Sequence, residues 1–112
     1  MAIPSNYIKF LELKKKSTFL SSLKLSPLSI EILETITLAE SKAAPLTVGD
    51  LLAMELLGSS STLHRQINLL LHQDFIALEY KSGNRRTKYL RTTKSTQEYF
   101  SHVLKLMTKA SA

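Results

Sequence analysis

The chain contains no cysteine, which removes disulfides, thiolate metal sites and cysteine nucleophiles together. Its 3 glycines are too few and too scattered to build a glycine-rich phosphate loop. No apolar run approaches the roughly 18 residues that a membrane-spanning helix needs, so no membrane association is expected. Residues 1–10 lack the basic, apolar, small-residue order of a secretory signal. Together with the missing thiols, that leads us to expect a cytoplasmic protein. Acidic residues are absent from one stretch: between Lys81 and Lys94 the charged side chains are Lys81, Arg85, Arg86, Lys88, Arg91 and Lys94. Those six cations equal the whole formal net charge of +6, and the rest of the chain is close to balanced. A local excess of this kind is an electrostatic footprint for a polyanion, most commonly nucleic acid.

Catalytic constellations are also missing. Asp50, Glu55, Asp74 and Glu79 fall near the ends of expected elements and form no paired-carboxylate pattern, and no nucleophile elbow surrounds any serine. His64 and His72 are eight residues apart, whereas two histidines chelating zinc from one helix favour i, i+4 spacing. His102 reads as an isolated surface residue. No enzyme activity, cofactor or metal is expected, and no residue pattern identifies a small-molecule effector.

What is present is a helical domain. The 112 residues, 44% hydrophobic, fit one domain. Residues 6–24 read as helix with a break near Ser17, and Tyr7, Ile8, Phe10, Leu11 and Leu13 make its first half apolar on nearly every side. Such a helix is usually covered by partners. Pro27 disfavours helix at Ser26, so Ser29 is expected to cap a second helix over 30–42 that buries Ile32 or Leu33, Ile36 and Ala39. Leu46–Thr47 reads as a very short strand. Thr47 and Asp50 then form an approximate capping box for a helix over 48–57 that ends at Gly58.

The most informative segment follows. Ser59, Ser60, Ser61 and Thr62 offer several N-caps, and a helix continues through Gln73. Leu63, Ile67, Leu70 and Leu71 give it a core face at i, i+4, i+7, i+8 spacing. Its other side carries Ser61, Arg65, Asn68 and His72, flanked by Thr62, His64 and Gln66, a face of hydrogen-bonding groups rather than the usual Glu/Lys solvent face. Residues 75–80 and 87–92 read as strands joined by the turn chemistry of Lys81-Ser82-Gly83-Asn84. A last helix, with Ser95 and Glu98 as its capping box, runs to about Lys109 and aligns Tyr99, Val103, Leu106, Met107 and Ala110. A helix-turn-helix followed at once by a two-stranded hairpin is the winged-helix arrangement. The expected fold class is therefore mainly α with a small β-hairpin.

These pieces suit duplex DNA. A helix fits the major groove, where Arg pairs with guanine and Asn with adenine in bidentate fashion; Arg65 and Asn68 are one turn apart on the outward side. Hydroxyls and free N–H groups at Ser60, Ser61 and Thr62 favour a phosphate oxygen, although they cap a helix in any case. Arg85 and Arg86 at the hairpin tip suit a narrow minor groove, with Lys81, Lys88 and Arg91 along phosphates.

The run Ser60-Ser61-Thr62-Leu63-His64-Arg65-Gln66-Ile67, then Leu70 and Asp74-Phe75-Ile76, resembles the recognition helix and following strand of MarR-type winged-helix transcription regulators. The run Gly83-Asn84-Arg85-Arg86-Thr87-Lys88-Tyr89-Leu90, then Thr92-Thr93, resembles their wing. Asn84 stands where the family usually has Asp, Thr92-Thr93 where it often has Leu-Thr, and Thr96 where it often has Gly. The resemblance implies a site-specific regulator of transcription that binds double-stranded DNA as a homodimer, with recognition helix 60–73 in the major groove, wing 81–91 at the minor groove and intertwined terminal helices. It assigns DNA contact to Ser60, Ser61, Thr62, His64, Arg65, Asn68, Lys81, Arg85, Arg86 and Lys88. It assigns the dimer interface to Tyr7, Ile8, Leu11, Tyr99, Val103, Leu106 and Met107. Within the single domain 1–112, residues 1–25 and 93–112 are then dimerisation helices and 28–92 the DNA-binding core. The alternative is a winged helix used as a protein-interaction module in a larger assembly; a stretch from Lys81 to Lys94 with six cations and no acid argues against it.

Overall fold

The structure is a computed structural model that describes residues 3–81 and 83–112; the side chains of Lys81, Asn84 and Arg85 lie outside the described residues. The described chain divides into two compact units, Met1–Lys24 with Gln97–Ala112, and Leu25–Thr96.

In the central unit, α3 (Pro27–Ser41) begins three residues earlier than its sequence suggests. Ser26, not Ser29, is the N-cap, its hydroxyl accepting the Ser29 N–H at 3.1 Å. Pro27 sits at N1, where its missing N–H costs nothing and its fixed φ is already helical. The helix ends at Lys42 in a Schellman arrangement: Ala44 N–H reaches Ala39 O and Ala43 N–H reaches Glu40 O, both at 3.0 Å. That geometry holds Ala43 at φ 55°, a left-handed conformation that normally favours glycine.

Thr47 and Asp50 form the expected capping box, each side chain accepting the other's backbone N–H at 3.0 Å. The helix they start, α4 (Val48–Leu52), is half the expected length. Tight turns follow, with Met54 N–H bonded to Leu51 O and Leu57 N–H to Met54 O. They leave Leu56, inside the expected helix over 48–57, fully exposed in a turn.

Helix α5 (Ser60–His72) is capped by Ser59, whose hydroxyl accepts the Thr62 N–H at 3.3 Å. Another Schellman end closes it through Phe75 N–H to Leu70 O, with Asp74 at φ 64°. Strands β1 (Ile76–Lys81) and β2 (Asn84–Thr92) pair antiparallel, Ile76 opposite Thr92 and Tyr80 opposite Lys88. The register then passes to Lys81 opposite Asn84, so residues 85–87 lie in a bulge-like irregularity. Leu46–Thr47 adds the expected strand fragment, reduced to one bridge: Thr47 pairs with Tyr89, and Leu90 N–H donates to Leu46 O at 2.8 Å. The core of this unit is Ile32, Leu33 and Ile36 of α3, Leu51 of α4, Leu63, Ile67 and Leu70 of α5, and Ile76 and Leu90 of the hairpin.

The terminal unit holds α1 (Ser5–Lys16), α2 (Thr18–Leu23) and most of α6 (Lys94–Ser111). The break at Ser17 is real and has a cause: its hydroxyl caps α2 through the Leu20 N–H at 3.2 Å and meets His102 Nε2 at 3.0 Å. His102 is therefore not a bare surface residue, because its ring also lies 4.6 Å from that of Phe19. Helix α6 starts at Lys94, which puts Ser95 inside it, so the expected Ser95–Glu98 box does not form. Thr93 and Thr96 instead donate their hydroxyls to Asp74 O and Phe75 O. Thr96 is fully buried, and its donation to Phe75 O satisfies the hydroxyl there.

Candidate nucleic-acid interface

Three buried side chains, Leu63, Ile67 and Leu70, fix the rotation of α5. The opposite side is consequently turned to solvent: Ser61, His64, Arg65, Asn68, Leu69 and His72 are all exposed. Neither of the ion pairs made by Arg91 involves this face. Its internal contact is Asn68 Nδ2 to His64 Nδ1 at 3.3 Å. At the helix start, Ser59 Oγ donates to Thr62 Oγ1 at 2.9 Å and lies 3.3 Å from Ser61 Oγ, while Ser60 Oγ donates to Leu52 O at 3.4 Å.

Gln66 does not join this exposed face. It is half-buried and its Oε1 accepts a hydrogen bond from Ser29 Oγ at 2.9 Å. Ser29 in turn accepts from Ser26 Oγ at 3.0 Å. The α3 cap thus continues as a hydroxyl relay into the flank of α5 and fixes that helix on α3. Helical spacing puts Gln66 on the flank of the outward face, and nothing in the sequence pairs it with a serine 37 positions earlier.

On the hairpin, Arg86 and Lys88 are exposed. With Thr87 they line an open cleft shared with Thr47, Val48 and Gly49 at the start of α4. The expected contributions of Lys81 and Arg85 lie outside the described residues. Arg91 requires a correction. Its Nε stands 3.3 Å from Glu79 Oε2 and 3.6 Å from Glu40 Oε2, so this cation is matched within the fold instead of being held out for a phosphate. Glu40 also accepts the Thr92 N–H through Oε1 at 2.9 Å. It ties the end of α3 to the end of β2, a role its sequence position does not signal.

In the terminal unit, Tyr7, Ile8 and Leu11 of α1 and Leu104 and Met107 of α6 are exposed, and α1 buries no residue in its own chain. Pro4, Tyr7 and Phe10 face Met107 and Ala110 across an open groove. Val103 and Leu106 are half-buried. Tyr99, expected at an interface, is only 5% exposed in the single chain and packs its ring 5.2 Å from that of Phe100, leaving little surface for a partner.

This order of elements has counterparts among solved structures. The transcriptional regulator Tm0710 from Thermotoga maritima is similar over 92% of this chain and 67% of its own length, with a TM-score of 0.68 and 18% identity. RV1404 from Mycobacterium tuberculosis matches 96% of this chain and 77% of its own, at 0.61 and 17% identity. A MarR mutant from E. coli matches 95% and 77%, at 0.60 and 18% identity. The chain has the winged-helix fold of MarR-type regulators. It spans about two thirds of Tm0710, of YusO from Bacillus subtilis and of the adhesin competence repressor from Streptococcus pyogenes. No family model and no curated sequence matches it. Among the described residues no helix is long and apolar enough to cross a membrane, and no group of three or more His, Asp or Glu side chains is placed to hold a metal ion.

Proposed function

We propose that the protein is a MarR-type transcription regulator that binds a specific site on double-stranded DNA as a homodimer. The observation that carries this reading is the composition of the exposed side of α5, where Ser61, His64, Arg65, Asn68 and His72 replace the usual Glu/Lys surface. The major groove admits such a helix and rewards side chains of this type. The exposed cations Arg86 and Lys88 of the wing suit the minor groove and its phosphates, and Lys81 and Arg85 add to the charge on the sequence alone. A second copy of the chain is the proposed cover for Tyr7, Ile8, Leu11 and Met107, with Val103 and Leu106 at the margin and Tyr99 as internal support. Two-fold pairing would set two α5 helices about 34–36 Å apart on successive turns of the duplex.

The test is selection of duplexes from a random pool, followed by fluorescence anisotropy on the selected site. A pseudo-palindrome bound by two chains is expected. Arg86→Ala weakens binding to every duplex and lowers the salt slope by about one. Arg65→Ala lowers discrimination between sites by about 1–3 kcal/mol. Selection that enriches no sequence would refute the proposal, as would an Arg86→Ala protein with unchanged affinity and slope.

A further inference from the structure

The contact on the outward face of α5 has a direction. An amide nitrogen donates hydrogen bonds and does not accept them. With Asn68 Nδ2 at 3.3 Å from His64 Nδ1, the ring nitrogen takes the acceptor role, which the Nε2–H tautomer of the ring provides. One Nδ2 hydrogen of Asn68 is used in this way. Its Oδ1 and second Nδ2 hydrogen remain for a ligand, and both residues are exposed.

We infer that His64 holds the Asn68 amide in the state that reads adenine, so that this pair demands an A·T base pair at one position of each half-site. The inference rests on the DNA-binding reading above. The major-groove edge of adenine presents a donor, N6–H, beside an acceptor, N7. It needs one acceptor and one donor from the protein, which is what the braced amide retains. Guanine presents two acceptors, O6 and N7. A braced amide has a single hydrogen left for them and sets its own oxygen against the other. An unbraced asparagine turns freely and pays for the adenine orientation on binding. The brace is a local i, i+4 pair on one helix, positions that face each other across a single turn.

The side chain at position 64 should therefore control the base chosen through Asn68. The experiment measures affinity for the selected duplex with each base pair replaced in turn, using wild type, Asn68→Ala, His64→Ala, His64→Gln and His64→Lys. Circular dichroism checks that each surface variant keeps the fold. In wild type, one position should lose about tenfold or more when adenine becomes guanine, the worth of a bidentate pair. Asn68→Ala should abolish that preference. His64→Ala should reduce it about threefold or more, the scale of coupling between contacting residues. His64→Gln retains an acceptor and should restore it. His64→Lys offers only donors, draws Oδ1 toward itself and turns both amide hydrogens outward, so guanine should become the better base. Full adenine preference in His64→Ala, or an Asn68-dependent position that is not adenine, overturns the inference while leaving the DNA-binding reading intact. A wild type that prefers no duplex overturns both.

Discussion

Replacing Arg91 by methionine tests whether a cation matched by two carboxylates of its own chain also serves DNA binding. Arg91 lies within 3.3 Å of Glu79 and 3.6 Å of Glu40. Its side chain is 39% exposed, Glu79 64% and Glu40 21%. An ion pair between exposed groups is worth about 0.2–1 kcal/mol, and the Glu79 pair belongs at the lower end. The Glu40 pair is more withdrawn from water and belongs at the upper end. Methionine keeps the apolar stem, and Glu40 keeps the Thr92 N–H, so the seam between α3 and β2 should survive. The expected loss is about 1 kcal/mol, or a melting temperature lower by about 4 °C for a domain of this size. DNA affinity and its salt dependence should stay as in wild type. Arg86→Ala serves as the contrast: one phosphate contact fewer flattens the slope by about 0.9, which narrows its deficit about 3.5-fold between roughly 50 and 200 mM salt. The measurements are thermal unfolding and anisotropy titrations across salt. If Arg91→Met flattened the slope as Arg86→Ala does, Arg91 would be leaving its carboxylates for the duplex and the reasoning would be wrong.

Three further outcomes follow from the same geometry. Ala43→Gly should stabilise the fold by about 0.5–1 kcal/mol in urea unfolding, because a left-handed φ of 55° strains an alanine and not a glycine; a loss of stability would refute the assignment of that turn. Thr96→Val should cost about 1 kcal/mol, since it removes a buried hydroxyl that donates to Phe75 O; a neutral result would mean that the Thr93 N–H, which also reaches that carbonyl, satisfies it alone. Ile8→Glu alters an exposed residue and should leave the monomer folded while light scattering shows the dimer dissociating. A dimer that tolerates the change would move the interface away from α1.

The parts legible in the sequence were those governed by local periodicity. The core side of α5 follows from the spacing of Leu63, Ile67 and Leu70, and the exposure of Arg65 and Asn68 follows from it in turn. The Thr47–Asp50 box was legible because its two members are three residues apart. The α3 cap was not, because Ser26 and Ser29 are both competent and Pro27 both breaks a preceding helix and opens a following one. The tethering of Arg91 was hidden for a different reason. Glu79 becomes its diagonal neighbour only through the hairpin register, and Glu40 arrives from a helix 51 positions earlier. A charge count along the chain sees an unopposed cation where folding brings two carboxylates. The Ser29–Gln66 bond and the burial of Thr96 are likewise products of tertiary packing with no local signature.

The single bridge between Thr47 and Tyr89 has a consequence for solubility. A hairpin this short presents two open edges, each able to recruit a strand from another molecule. Leu46 already takes the Leu90 N–H, so the base of β2 is closed to such growth. On the other side, Glu79 puts an exposed charge on β1, a poor template for stacking identical copies. A crowded solution of this protein should therefore resist forming sheet-rich aggregates from the folded state.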